Sequence, residues 1–317
     1  MKFKAKKRDS FKEQTSSHLK VFKQNLPLTL LALPAVIVIF IFNYIPLYGI
    51  ILPFKDFNVA KGVFGSAWSG LKNFEFLVKS DAILVAIKNT VFYNFIFIFL
   101  GTAVSVVVAL LLYELSKRAV KVYQTALLVP YFMSWVVVAY ICNALLDMDN
   151  GILNHIRGLF GMEKILWYNE TKYWPTILII ANIMKGMGYN AVVYFAALMG
   201  VDSSYFEAAK IDGANKFQQM WYISMPMIKS IVIIMVILSV GKIFYGDFGL
   251  FYNVPLNSSL LYPATDVIDT YVYRSLINMG NVGMSATTGF CQSILGFIMV
   301  LGTNIIVKKF DADSALF

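Results

Sequence analysis

LPLTLLALPAVIVIFIFNYIPLYGIILPF, Leu26 to Phe54, carries no charge from end to end. A helix needs about 20 apolar residues to cross a bilayer. A cleavable signal peptide has an apolar core of about 7–15 residues ending at a small-x-small site. This run is too long for that and is punctuated by Pro34, Pro46 and Pro53. It reads as a spanning segment that stays in the chain. Before it lie Lys2, Lys4, Lys6, Lys7, Arg8, Lys12, Lys20 and Lys23. Such a basic arm, residues 1–26, is held in the cytoplasm by the positive-inside rule.

The rest of the chain repeats the pattern. Of its 317 residues 58% are hydrophobic and 14% charged, against roughly 25% charged in soluble domains. A soluble fold of this size would expose too much apolar surface. Further low-charge runs lie at 90–112, 122–146, 175–200 and 286–307, with a weaker one at 228–248. With 27–52 they give six helices: an all-α polytopic membrane protein with one transmembrane domain, 27–307, and a tail, 308–317. Placing the amino terminus inside puts sixteen Lys and Arg on the inner segments and nine on the outer ones. That bias favours an even number of crossings with both termini cytoplasmic.

The net charge of +9 is thereby explained without nucleic acid. Cys142 and Cys291 lie in apolar runs, and His18 and His155 are far apart, so neither a zinc site nor a disulfide framework has visible ligands. Among the outer segments, 151–161 spaces Ile152, Ile156, Leu159 and Phe160 as an amphipathic helix lying on something apolar. Residues 68–78 read as another short surface helix, and 249–285, rich in Tyr, Asn, Ser and Pro, as an irregular loop.

The longest inner loop, 201–227, contains EAAKIDGANKFQQMWYISMPM, Glu207 to Met227. Ser203 and Ser204 offer caps to a helix with Glu207 in its first turn. Asp212-Gly213 supplies a turn because Gly tolerates positive φ. A second short helix follows over about 215–222, and Pro226 marks the start of the next span. Ala208, Ala209 and Ala214 keep the resulting knob small-surfaced, open to close approach by another protein.

Glu207, Ala208, Ala209, Gly213, Ile223 and Pro226 reproduce the spacing Glu-Ala-Ala, three residues, Gly, nine residues, Ile, two residues, Pro. At usage of roughly 5–8% per residue type, six such positions coincide in a chain this long with a chance of order 10⁻⁵. The chain resembles the permease subunits of binding-protein-dependent ABC importers; Met225 departs mildly from the Leu usual before that Pro. NYIPLYGIILPFKDF (43–57), VIDTYVYRSL (267–276) and GNVGMSATTGFCQSILGF (280–297) resemble the polysaccharide-type subgroup, which imports complex oligosaccharides.

The resemblance implies an ABC importer type I permease fold in a bacterial plasma membrane. It also implies alternating access and a heterodimer with a second permease. Two ATPase subunits and an extracytoplasmic substrate-binding protein would complete the machine. Coupling to the ATPase would fall to Glu207, Ala208, Ala209, Asp212, Gly213, Ala214, Phe217, Ile223 and Pro226. The chain's own Gly-Lys pair, Gly241-Lys242, lacks a phosphate-loop context. No cofactor is therefore expected on this chain, ATP and Mg belonging to the partner ATPase.

A charge within a span is a functional hypothesis by default. Lys185 lies about ten residues, roughly 15 Å, from the outer end of its span. Asn182 and Tyr189 lie about one turn to either side, and Gly186 and Gly188 open space. This face suits hydroxyl recognition and ring stacking on a sugar, or equally a hydrogen bond to the second permease. Lys242, nearer the outer surface, has Asp247 five residues on, which reads as an ion pair or a snorkel; with both lysines facing the cavity, an anionic oligosaccharide fits. Tyr131, Trp135, Tyr140 and Asn143 are further lining candidates. A stand-alone secondary transporter or channel is the alternative, but no carboxylate lies well inside a span to couple an ion.

Overall fold

The computed structural model describes residues 25–310 and Ala315. The basic arm before Asn25 and most of the tail lie outside the described residues. Four helical stretches are long and apolar enough to cross a membrane without interruption, and two bent helix pairs raise the number to six if each is one crossing. The first, Leu26–Phe54, begins as α1 (Leu26–Ile39) and tightens at its C-terminal end into 3₁₀ turns, Ile45–Phe54. Its hydrophobic window has no residue buried within the chain. It leads into a two-stranded antiparallel ribbon, β1 (Lys55–Asp56) with β2 (Ala67–Trp68), and then α2 (Lys72–Lys79). The surface helix expected over 68–78 is therefore a strand residue followed by a helix.

The central frame is α3 (Asp81–Tyr113) against α7 (Trp174–Met199). In a bilayer, helices associate through close packing rather than the hydrophobic effect. Gly188 of α7 shows this: a Cβ there would lie 1.9 Å from the carbonyl oxygen of Leu127. Gly188 is thus a helix crossing and not the open space expected of it. The run 122–146 divides into α4 (Lys117–Phe132) and α5 (Trp135–Leu146), bent by 96°. Pro130 weakens the last turn of α4, Met133 is extended, and Ser134 caps α5 through the Val137 N–H.

Beyond it, α6 (Ile152–Leu159) is anchored by its polar side. Asn154 is buried and bonds to both backbone groups of Ile165 and to Trp167, while Ile152, Ile156, Leu159 and Phe160 stay exposed. The apolar face expected to lie on something points away from the protein.

The knob comprises α8 (Ser203–Ile211) and α9 (Lys216–Met227). A 57° bend then starts α10 (Lys229–Val240), so the expected span 228–248 ends early. Residues 241–244 are turns, and the remainder up to 279 is largely helical: α11 (Phe248–Asn253), α12 (Tyr262–Thr265) and α13 (Ile268–Met279). The irregular outer loop read from 249–285 is instead a packed cap. Leu250, Phe251, Val254, Leu261 and Val267 share one core with Tyr93, Val138, Trp174 and Leu178. The reason lies in α3, whose polar side chains meet the cap's backbone. Asn89 donates to the carbonyls of Pro263 and Asp266, Tyr93 donates to Ala264, and Thr90 accepts the Ile268 N–H. Turn-rich composition signals irregular backbone only when nothing else satisfies that backbone. The last helix, α14 (Val282–Phe310), packs on α13 and on the C-terminal end of the first span.

Candidate functional site

At one end of the frame sits the knob. Asp202, not Ser203 or Ser204, caps α8, its Oδ1 accepting the Ser204 N–H at 2.9 Å. That hydrogen bond holds the Asp202 carboxyl below the usual carboxylate range. Glu207 consequently falls in the second turn, exposed, rather than in the first. Gly213 has φ +81°, and a C-terminal clasp closes around it. The Gly213 N–H reaches the Lys210 carbonyl and the Ala214 N–H reaches Ala209, the paired bonds of a left-handed helix stop. Asn215 then caps α9 in a reciprocal box with Gln218, at 2.9 and 2.8 Å. The second helix expected over 215–222 runs on unbroken to Met227, with Pro226 inside it.

This knob is fastened to α3. Lys216 pairs with Glu114 at the end of α3, Phe206 packs on Tyr113 at 5.3 Å, and buried Gln219 donates to the Ala214 carbonyl. Ile228 continues into a core with Val106, Leu110, Tyr194 and Leu198. Ala209, Asp212, Gly213, Ala214 and Ile223 line a hollow of about 330 Å³, and Ile211 (87% exposed), Phe217 (69%) and Tyr222 (74%) stand out around it. Glu207, Ala208 and Pro226 are exposed on the same knob.

The in-span residues form two groups. In the first, Lys185 donates to the Tyr131 carbonyl at 2.7 Å and lies 5.5 and 5.3 Å from the Tyr131 and Trp135 rings. Tyr189 stacks on Tyr131 at 4.7 Å. In the second, Asn182 and Lys242 meet across a cavity of about 240 Å³ between α3, α7 and the end of α10, together with Asn94, Thr102, Asn190 and Ser239. Asn94 donates to the carbonyls of Ile243 and Tyr245, which ties the turn after α10 to α3. The expected Lys242–Asp247 pair is not formed among the described residues. Asp247 instead accepts from Trp135 Nε1 at 2.7 Å and caps α11. Asn143 lines neither group; its carbonyl takes the Asp147 N–H. Tyr140 is exposed on α5.

Sequence reading missed Asn94, Thr102, Asn190 and Ser239 on the cavity and the Glu114–Lys216 fastening. The cavity signal was available as isolated polar residues inside apolar spans; the ion pair, 102 residues apart, left none.

Among relatives, the polygalacturonan/rhamnogalacturonan transport system permease YteP of Bacillus subtilis (strain 168) is 32% identical over 287 residues, covering 90% of this chain and 89% of YteP. LplB of the same organism is 30% identical over 298 residues, covering 94% and 93%. The crystal structure of a bacterial ABC transporter involved in importing the acidic polysaccharide alginate matches with a TM-score of 0.84 at 26% identity, covering 93% of this chain and 99% of that one. A second structure of an alginate transporter, in complex with a pentasaccharide-bound periplasmic protein, matches with a TM-score of 0.83. The family model for binding-protein-dependent transport system inner membrane components matches residues 82–312, and this multi-pass membrane chain belongs to that family.

Proposed function

We propose that the chain is the permease subunit of an ABC importer for complex oligosaccharides, acidic ones among them, working by ATP-driven alternating access. Each bent helix pair then counts as one crossing, giving six, with both termini cytoplasmic as the Lys and Arg distribution favours. ATP and Mg act on two partner ATPase subunits, a second permease supplies the other half of the path, and a binding protein delivers the sugar. The relatives' pectin-type and alginate substrates support the sugar class.

The observation that carries the reading is the knob: a capped, clasped helix pair with exposed Ile211, Phe217 and Tyr222 around a hollow, tied to α3 through Lys216–Glu114. A free loop would not hold three large apolar side chains in water; a partner's cleft would cover them. Motion of the docked knob passes through α9 into α10 and through Glu114 into α3. Those two helices wall the polar cavity, so closure of the ATPase would reshape the cavity directly.

The test is uptake of labelled oligogalacturonide into proteoliposomes holding the complete importer. Uptake should require ATP and the ATPase subunits. Uptake by this chain without them, driven by an ion gradient, would return it to the stand-alone transporters.

A further inference from the structure

Two lysines lie in the membrane frame, and the structure treats them differently. Lys185 is half-buried and compensated by the protein. Its ammonium bonds to a carbonyl in the last turn of α4, where the helix leaves its final carbonyls without partners and presents the negative end of its dipole. The faces of Tyr131 and Trp135 add cation–π contact. Trp135 is in turn held by Asp247. Lys185 is thus the clamp that keeps the two halves of the bent α4–α5 pair together.

Lys242 has none of this. It sits on the turn after α10, with its side chain on the cavity. Neither nearby carboxylate is directed to it. Asp247 serves Trp135 and Leu250, and Asp269 accepts from the Gly246 N–H and Gln292. Among the described residues no acid pairs with Lys242. The Asn182 and Asn190 side chains on the same cavity likewise make no hydrogen bond among the described residues. Lys242 is exposed on the cavity, so its ammonium, which no carboxylate among the described residues answers, is open to a ligand's counter-charge. Free amides beside it offer both a donor and an acceptor.

We infer that Lys242 is a specificity-determining residue of the pathway: it takes a carboxylate of an acidic sugar while Asn182 and Asn190 take hydroxyls of the same unit. This rests on the oligosaccharide-importer reading and assigns the cavity's cation a ligand chemistry. The preference runs opposite to sequence reasoning, which gave Lys185 the better claim on the sugar and Lys242 a structural one.

The experiment uses the complete importer in proteoliposomes with two probes, trigalacturonate and its fully methyl-esterified form, which differ only at the carboxyls, where the ester replaces the charge with a methyl group. The same binding protein serves every variant, so its own discrimination cancels when variants are compared. Lys242→Gln should lower the acid-to-ester ratio of kcat/KM at least tenfold, and Lys242→Arg should restore most of it. Lys185→Gln should lower both substrates together or reduce the amount of assembled complex. Where wild-type uptake is confined to the acid, loss in Lys242→Gln with recovery in Lys242→Arg decides the matter in the same sense. An unchanged ratio in Lys242→Gln, unimpaired acid uptake in that variant, or loss in both Gln and Arg variants would overturn the assignment. If the wild-type complex takes up neither probe, the failure belongs to the oligosaccharide reading instead.

Discussion

The two ends of the molecule keep their polar groups by opposite means. In the knob the bonds are mostly local, Asp202 with Ser204, Gly213 with Lys210 and Asn215 with Gln218, and Lys216–Glu114 is a long-range tie. Its Ile211, Phe217 and Tyr222 face outward. In the cap the bonds are long-range, from Asn89, Tyr93 and Asn94 of α3 and Gln292 of α14, and its apolar side chains are core. A region held by its neighbours in sequence can present a surface to a partner and still keep its shape. One held by distant helices is part of the frame and transmits whatever those helices do.

The largest effect should come from breaking the cap. Asp266 and Arg274 form an ion pair, with side chains 8% and 15% exposed, and Arg274 lies 3.9 Å over the Tyr262 ring. Removing one partner of a buried pair costs about 3–5 kcal/mol. Arg274→Ala should therefore deplete folded protein from the membrane, measured by quantitative blotting and thermal unfolding in detergent. In the knob, Gly213→Asp forces a side chain into positive φ, at roughly 1–2 kcal/mol, with no atom within 4 Å of its Cβ. Membrane levels should hold while uptake is lost; normal uptake at normal levels would sink the coupling assignment.

Asn215→Ala removes one cap, typically about 1 kcal/mol. It should lower uptake partially and leave the cap's unfolding temperature unchanged.

The smallest effect is one of pH. Burial lifts the Asp269 carboxyl above its ordinary 3.8, against the hydrogen bonds from Gly246 and Gln292 that lower it. A carboxyl with a raised folded pKa holds its proton more tightly when folded. Its contribution is full at low pH and is lost as pH rises through the folded value. Stability followed by thermal unfolding should fall slightly on going upward from about pH 4, and Asp269→Asn should flatten that slope.

The knob was legible because each instruction lies within a few residues of its effect: a turn at Gly213, a helix start near Asn215, a spacing that fixes the family. The apolar runs were legible by length alone. What escaped was whatever depended on a distant partner. Sequence composition made 249–285 a loop because the carbonyl acceptors for Asn89 and Tyr93 lie more than 170 residues away. Trp135 and Asp247, 112 residues apart, left no sign that Asp247 was already engaged and Lys242 therefore free of it. The break at Met133–Ser134 had a local signal in Pro130 and Ser134, but the uninterrupted hydropathy of 122–146 outweighed it.

The central claim is that this chain works only as one part of a machine whose ATPase grips the knob. Affinity purification from native membranes in mild detergent, with mass spectrometry of what accompanies it, tests that claim most directly. The account predicts an ATPase and a second six-helix permease in stoichiometric amounts, both lost or weakened with Gly213→Asp. A monomer or homodimer that transports unaided would contradict it.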